Sequence, residues 1–204
     1  MATLVNQAMI SEVSICNQAL TWLGQEPIIS LEQDNTNAEW MRENYPFLRD
    51  EMLEARMWSF TRARFTSTVE DTDPWGVQYV HPVPIEWLMV WRVYCDVRSS
   101  DPRHWIDSTG WRVESNNVLA DEATVYMEGS RRITDTGKFT NGFAQALASR
   151  LAIDACMPLT EDPALLSAMV QLGAAKMDEA TARDGVQGRN ERLKIGSLIK
   201  QRVR

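Results

Sequence analysis

The chain has 204 residues, a length that suits one domain or two small ones. Apolar residues make up 44% of it and charged residues 24%, which excludes disordered, collagen-like and disulfide-scaffold proteins. The 28 acidic and 21 basic residues give a net charge of -7, which argues against a protein that binds a nucleic-acid backbone over its whole surface.

The first predicted element is a short amphipathic helix from Ser11 to Leu23. Its apolar residues recur every three or four positions, Ser11 can cap its N-terminus, and Gly24 follows its last turn. The segment after it, up to residue 35, is predicted to be a connector.

A second, longer helix is predicted to begin at Thr36, because Thr36 and Glu39 have the spacing of a capping box. Its apolar stripe continues to the region of Trp58. Pro46 lies within this stripe, and since proline removes an interior amide hydrogen bond, the sequence predicts a kink or a restart there.

The middle of the chain, from about residue 75 to 134, contains several prolines and is predicted to form strands. A hairpin is predicted around Ser115-Asn116-Asn117, and Ala123 to Met127 adds another strand. These segments predict a small antiparallel sheet of three to five strands. The segment Ile85 to Val97 alternates on a period of two, which predicts one buried face carrying Trp87, Met89, Trp91, Val93, Cys95 and Val97.

Helical spacing returns near residue 139. Apolar residues from Phe143 to Ala155 cover most of the circumference, which predicts a helix buried on several sides that ends at Pro158. Asp162-Pro163 then provides an N-cap and a first-turn proline for a last helix that runs to Gly185. These two helices are predicted to pack antiparallel.

The segment Val186 to Arg204 has six basic residues and one acidic residue, so its net charge is +5 and that of the remainder is -12. It is interpreted as a nucleic-acid arm, a solvated end, or an arm that docks on a partner. Its apolar residues favour docking over plain disorder. The residues of this candidate portal-docking arm are Arg189, Arg192, Leu193, Lys194, Ile195, Leu198, Ile199, Lys200, Arg202 and Arg204.

The sequence predicts no catalytic, metal or cofactor site. His81 and His104 are the two histidines, and neither has the spacing of a metal ligand set. His81 is predicted to lie in a turn or at a sheet edge, and His104 to be solvated or stacked beside Trp105. A glycosidase could use adjacent carboxylates, but such pairs are more often turn residues or helix caps; the pairs are Asp71 with Asp73, Asp121 with Glu122, and Glu161 with Asp162.

The cysteines Cys16, Cys95 and Cys156 are odd in number and widely spaced, so they are predicted to be reduced and buried, as in a reducing compartment. The segment Met1 to Ser14 lacks the basic start and apolar run of a signal peptide, and no run of 18 apolar residues occurs. Neither export by that route nor a membrane span is predicted.

Short segments follow one another in an order and spacing that are distinctive only when taken together. They are Asn17 to Gly24, Pro27 to Leu31, Asn37-Ala38, Tyr45 to Leu53, Trp58 to Arg64, Trp75 to Tyr79 with Pro82 and Pro84, Arg132 to Asp135, and Ala146 to Ala152 with Leu159-Thr160. In this order the chain resembles the tail tubular protein A family, the head-to-tail adaptors of short-tailed bacteriophages, over residues 11 to 184.

The resemblance implies a structural protein of the virion neck, assembled in the host cytoplasm. It implies a ring, dodecameric in form, that docks under the portal protein and receives the tail nozzle protein. Genomic DNA would pass through the lumen without sequence-specific binding, and neither an enzyme activity, a cofactor nor a membrane is implied.

The patterns and the resemblance together predict an α+β fold, a helical bundle with an inserted small antiparallel β-sheet and an extended C-terminal arm. The bundle is assigned to residues 1–68 and 135–185, the sheet to 69–134, and the basic arm to 186–204. Two alternatives remain open, a tail-associated glycosidase that acts through the acidic pairs, and a DNA-binding accessory protein that acts through the arm.

Overall fold

A computed structural model of the chain describes residues 10–73, 75–76, 78–95 and 110–187. Within these residues the fold is α+β, as predicted, with helices at both ends of the chain and strands between them. The elements are α1 (Glu12–Trp22), α2 (Thr36–Glu54), β1 (Arg62–Thr68), β2 (Tyr79–Pro82), β3 (Trp87–Tyr94), β4 (Trp111–Glu114), β5 (Asn117–Ala120), β6 (Thr124–Arg131), α3 (Asn141–Thr160) and α4 (Pro163–Gln187).

The helix N-termini are capped by side chains. Ser11 and Ser14 form a reciprocal capping box at α1, which confirms Ser11 as the N-cap. For α2 the predicted cap was one residue too late, because Asn35 rather than Thr36 accepts the hydrogen bond, from the backbone N–H of Ala38 at 2.7 Å. Asn is among the preferred N-cap residues, and its amide oxygen reaches the third amide of the helix.

Helix α3 does not end at Pro158, where the sequence predicted its end, and α2 does not restart at Pro46, where the sequence predicted a kink or a restart. Helix α2 runs through Pro46 without interruption, because Tyr45, Leu48 and other residues of its inner face are buried in the core on both sides of the proline. Helix α3 continues past Pro158 to Thr160, and the left-handed Glu161 (φ 54°) then reverses the chain. Asp162 caps α4 as predicted, since its carboxylate accepts hydrogen bonds from the amides of the first turn.

The helical core is centred on α3, which packs against α1, α2 and α4. Gly142 approaches Ala180 and Gly173 approaches Ile153, an order of contacts that confirms the antiparallel packing of α3 and α4. Trp58 is fully buried just beyond α2, and its indole Nε1 donates to the backbone oxygen of Met52 at 2.8 Å. Its ring packs edge-on against that of Phe143 on α3, with the ring centroids 5.1 Å apart.

The described strands form two small antiparallel sheets where the sequence predicted one. The first sheet has the order β1-β6-β3 and the second the order β2-β5-β4. A separate apolar cluster joins them, with Val93, Val125 and Met127 from the first sheet against Val118 and Ala120 from the second. The strands therefore bury one face of each sheet between the two layers.

Strand β1 corrects the assignment of residues 62–68 to the helical bundle. It pairs along its whole length with β6, from Arg62 opposite Ser130 to Thr68 opposite Thr124. The segment holds Phe and three β-branched or hydroxyl residues, which favour a pleated strand once a partner strand is present.

Strand β3 departs from the predicted two-residue alternation. Its pairing with β6 shifts between Trp87 and Met89 and again between Val90 and Arg92. Each shift adds a residue and moves the following side chains to the other face. Met89 is therefore 38% exposed, while Val93 and Tyr94 are both buried; Cys95 is exposed, and Val97 lies outside the described residues.

The β4–β5 hairpin confirms the predicted turn. Ser115 and Asn116 both have positive φ, 47° and 63°, and Glu114 pairs directly with Asn117. Two left-handed residues in a two-residue loop match the twist of the flanking strands, which is why Ser-Asn suits this position.

Candidate functional site

All ten residues of the predicted docking arm, Arg189 to Arg204, lie outside the described residues. The residues just before them are helical, because α4 extends to Gln187, two residues into the segment assigned to the arm. Near that end the Asp184 carboxylate accepts hydrogen bonds from the hydroxyl and the backbone N–H of Ser59, at 2.6 and 3.1 Å. The base of the arm is thus tied to the connection between α2 and β1.

A buried carboxylate surrounded by arginines lies at the centre of the first sheet. Glu128 on β6 is fully buried, Arg64 on β1 and Arg92 on β3 lie directly opposite it, and Arg62 and Tyr94 come from the same two outer strands. Because directly paired residues share a face of a sheet, these side chains converge on one point. We call Arg62, Arg64, Arg92, Tyr94 and Glu128 the arginine cluster.

The contacts of the arginine cluster satisfy both oxygens of Glu128. Arg62 Nε donates to Oε1, and Arg64 Nε approaches the same oxygen at 3.4 Å. The Tyr94 hydroxyl donates to Oε2 at 2.8 Å, and a terminal nitrogen of Arg92 lies 3.7 Å from that oxygen. Arg62 and Arg64 share one carboxylate oxygen, so these two guanidinium groups carry more positive charge than Glu128 neutralises.

The ionisation of the arginine cluster follows from these contacts. Burial alone would raise the pKa of Glu128, but hydrogen bonds from Arg62 and Tyr94 and the positive charges of Arg62 and Arg64 outweigh it, so the pKa falls below its ordinary 4.5. Burial, followed by the hydrogen bond to Glu128, raises the pKa of Tyr94 to about 12. At neutral pH the carboxylate is therefore charged and the phenol is neutral.

Sequence reasoning missed this cluster. Arg62 and Arg64 are two residues apart, a spacing that places them on one face of a strand. The sequence gives no indication that Glu128, more than sixty positions away, is their partner. Only the β1–β6 and β3–β6 registers bring the five side chains together.

A second polar group lies around His81 in the second sheet. His81 was predicted in a turn or at a sheet edge; it lies on the edge strand β2, but its side chain is fully buried. Its Nε2 is 2.9 Å from the backbone oxygen of Glu122, and its Nδ1 and the Oε2 of Glu122 are buried without a hydrogen-bond partner. Burial lowers the pKa of His81 below its ordinary 6.5, although the contact with Glu122 partly opposes this shift.

The three acidic pairs occupy separate segments with local structural contacts. Asp162 caps α4, and the exposed Glu161 ends α3. Asp73 is buried and lies 3.8 Å from Arg112, while Asp121 accepts a hydrogen bond from the side chain of Gln78 at 3.2 Å. The backbone N–H of Gln78 also approaches Asp73, at 3.4 Å, so this glutamine lies between the first two pairs.

Several large apolar side chains are exposed on different parts of the chain. Ile29 in the α1–α2 connector is 90% exposed, Ile85 before β3 is 89%, Trp75 is 84% and Phe47 on α2 is 76%. Exposed apolar surface of this kind is stabilised when another molecule covers it. These four side chains are candidate contact points with other molecules.

The cysteines separate into two groups. Cys16 and Cys156 are buried in the helical core, as predicted, whereas the prediction was wrong for Cys95, which is exposed because β3 ends just before it. Burial, and then the neighbouring charge of Glu12, raise the pKa of the Cys16 thiol to about 12, so it stays protonated at neutral pH.

One hollow in the described part of the chain has the volume of a small-ligand pocket but is open to solvent. An open hollow of about 420 Å³ lies between the α1–α2 connector and the end of α3, lined by Gln25, Asn37, Leu159 and neighbouring residues. Among the described residues, no three potential ligands of the types His, Cys, Asp and Glu are placed to hold a metal ion. None of the helices that the structure describes has the length and apolar character needed to cross a bilayer.

No protein-family model matches this chain, and a comparison with curated proteins finds no significant match.

Proposed function

We propose that this chain is the structural subunit of a head-to-tail connector in a short-tailed phage, forming a ring between the portal protein and the tail nozzle protein. The proposal takes its starting point from the resemblance of residues 11 to 184 to the tail tubular protein A family. In it the subunit works by shape and repeated contact, without a catalytic step, and belongs to the virion neck after assembly in the host cytoplasm.

The observation that supports it most is the exposure of large apolar side chains on separate segments. Ile29, Phe47, Trp75 and Ile85 are each at least 76% exposed, and they belong to α2, to the α1–α2 connector and to loops of the β-region. A subunit of a closed ring that also binds a ring above and below contacts other chains on several sides. Aromatic residues are enriched at protein–protein interfaces, so the exposure of Phe47 and Trp75 suits such a subunit.

The charge distribution also supports a conduit for DNA. Outside residues 186–204 the chain carries a net charge of -12. An acidic lumen repels the phosphate backbone and lets the genome slide without sequence-specific binding.

The basic arm supplies a contact with the portal protein in this proposal. Its six basic residues meet acidic rims while Leu193, Ile195, Leu198 and Ile199 occupy apolar pockets. Repeating a weak contact around a twelvefold axis multiplies its effect through avidity.

The test is reconstitution with the portal protein from the genome that encodes this chain. We expect electron microscopy to show a ring of twelve copies seated on the portal ring. Removing residues 188–204 leaves α4 complete to Gln187, and we expect this variant to lose portal binding in sedimentation.

Two full-length variants separate the parts of the arm. One replaces its six basic residues with Gln, and the other replaces Leu193, Ile195, Leu198, Ile199 and Val203 with Ser. We expect both to weaken portal binding. Undiminished binding after removal of 188–204 contradicts the arm assignment, and cleavage of a polysaccharide by the isolated subunit contradicts the structural role.

A further inference from the structure

The two β1 arginines of the arginine cluster present unused hydrogen-bond donors to solvent. Arg62 and Arg64 both contact Glu128 through Nε, and among the described residues neither makes a further hydrogen bond. Their side chains are 38% and 65% exposed. The buried carboxylate therefore contacts each of these two guanidinium groups at Nε. Their terminal NH2 groups remain able to donate hydrogen bonds to an anion from another molecule.

The chain's own acidic excess is greatest over α1, the α1–α2 connector and α2. Residues 10–61 contain nine acidic and three basic residues, a net charge of -6. On α2, Glu39 and Glu43 are exposed and four residues apart, with Arg42 next to them, and neither carboxylate has a partner in the described part of the chain. A matching pair of carboxylates is thus present on a different surface of the same molecule.

The spacings of the two pairs agree. Residues two apart on one face of a strand, such as Arg62 and Arg64, are separated by about 6.7 Å. Residues four apart on a helix, such as Glu39 and Glu43, are about 6 Å apart at Cβ. Each guanidinium can therefore face one carboxylate with little distortion of either element.

We infer that the arginine cluster docks the α2 carboxylates Glu39 and Glu43 of a second copy of this chain. The contact joins β1 of one subunit to α2 of the next, so it is heterologous, and a heterologous contact repeated with the right rotation closes a ring. The inference rests on the proposed function, since it names one contact between neighbouring subunits of that ring.

A nucleic-acid occupant is the less favoured alternative. Tight binding to a phosphate backbone comes from many neutralised phosphates, and Arg62 and Arg64 offer two guanidinium groups. The chain as a whole is acidic, at -7, which opposes the approach of a polyanion but allows a single acidic patch to meet a local basic one.

The experiment is sedimentation velocity of the full chain over a range of protein and salt concentrations. We expect wild-type self-association that weakens with added salt. The Arg64→Gln variant should raise the dissociation constant by about fivefold, the effect of one charge pair. Arg183→Gln is the matched control, because Arg183 on α4 has a side-chain exposure of 66% against 65% for Arg64, and we expect it to self-associate like the wild type.

A double-mutant cycle tests the pairing itself. Glu39→Gln combined with Glu43→Gln should weaken self-association, Glu161→Gln should not, and adding Arg64→Gln to the first pair should cause little further loss. Circular dichroism checks that each variant is folded, and Arg64→Lys tests whether the planar guanidinium is needed in addition to the charge.

The outcomes distinguish this inference from the connector proposal. Any of three results overturns the inference. The effects in the cycle are additive, the wild-type chain stays monomeric in low salt, or the cluster binds DNA in a salt-dependent way in place of self-association. Rings that form on the portal protein with unaltered affinity in the Arg64→Gln variant also overturn it while supporting the connector. If the wild-type chain forms no ring on the portal protein, the connector proposal itself is contradicted.

Discussion

The carboxylate of Asp184, near the end of α4, accepts hydrogen bonds from the hydroxyl and the backbone N–H of Ser59, a residue 125 positions earlier. The carboxylate is buried and accepts the Ser59 hydroxyl at 2.6 Å. The contact joins the last helix to the connection between α2 and the first sheet. It therefore fixes where the helical part of the chain meets the β-region and where the arm begins.

Replacing Asp184 with Ala should destabilise the chain. The substitution removes the acceptor of both Ser59 hydrogen bonds, and because Ser59 is exposed and its donors can turn to water, we expect a loss of about 1 kcal/mol. Urea unfolding followed by tryptophan fluorescence measures the loss, and hydrogen exchange should become faster in the last turn of α4. Asp178→Ala is the control, since Asp178 is an exposed carboxylate on the same helix. Equal stabilities of the two variants would show that the Ser59 contact contributes nothing.

The Glu128→Gln variant tests the charge at the centre of the arginine cluster. At neutral pH we expect a loss of about 2 kcal/mol, because Gln cannot accept charge-assisted hydrogen bonds from Arg62 and Tyr94 as a carboxylate does. The pKa of Glu128 is lowered on folding, so its contribution is fully present above the ordinary 4.5 and is lost as pH falls through the folded-state value.

The difference in unfolding free energy between wild type and Glu128→Gln should therefore be constant above pH 4.5 and shrink below it. Chemical denaturation at a series of pH values measures this difference. Glu70→Gln serves as the control, because Glu70 is exposed between the strands. A difference that stays constant down to the lowest accessible pH would be inconsistent with a lowered pKa.

The sequence predicted the helices well because their signals are local. Ser11, Asp162 and the three-and-four spacing of apolar residues act within one or two turns, and the structure places α1, α3 and α4 close to where they were expected. The cap was misplaced by one residue because Asn35, itself a preferred N-cap residue, precedes Thr36. The restart considered at Pro46 and the end expected at Pro158 are absent for a different reason. Burial of a continuous apolar face decides whether a helix continues, and a single residue type does not report that burial.

The sequence predicted the β-region less well because its decisive contacts are non-local. Strand β1 forms because β6 is available to pair with Arg62–Thr68, and the bulges of β3 depend on its fit to the same partner. The buried position of Glu128 follows from both registers at once. No local pattern distinguishes it from the solvated carboxylates elsewhere in the chain.

Gly129 on β6 should tolerate no side chain. A Cβ at this position would lie 2.3 Å from the backbone oxygen of Met89 and 2.5 Å from the ring of Trp87. Gly129→Ala therefore forces β3 away from β6, and we expect a loss of about 1–3 kcal/mol from overpacking. Thermal unfolding measures it, with Gly185→Ala as the control, since a Cβ at Gly185 meets nothing within 4 Å. A stable Gly129→Ala variant would mean that β3 can shift at no cost.

His81 should make stability depend on pH in a range separate from that of Glu128. Burial lowers the pKa of His81, so the native state holds a neutral imidazole while the unfolded chain takes up a proton near pH 6.5. The free energy of unfolding therefore decreases as the pH is lowered, because the unfolded chain takes up the proton first. The contribution is fully present above about pH 6.5 and is lost as pH falls, by at most about 1.4 kcal/mol per pH unit, until the folded-state pKa is reached.

Urea unfolding between pH 8 and pH 5 in a His104→Gln background, where His81 is the single imidazole, measures this slope. The added substitution His81→Gln keeps an amide donor for the backbone oxygen of Glu122 but does not titrate, so it should flatten the curve across this range. Stability at pH 8 should fall modestly, because the amide fills the buried site less completely than the imidazole ring. An unchanged slope after the substitution would assign the pH dependence to other groups, and Glu122 with its unpartnered buried Oε2 would be the first to test.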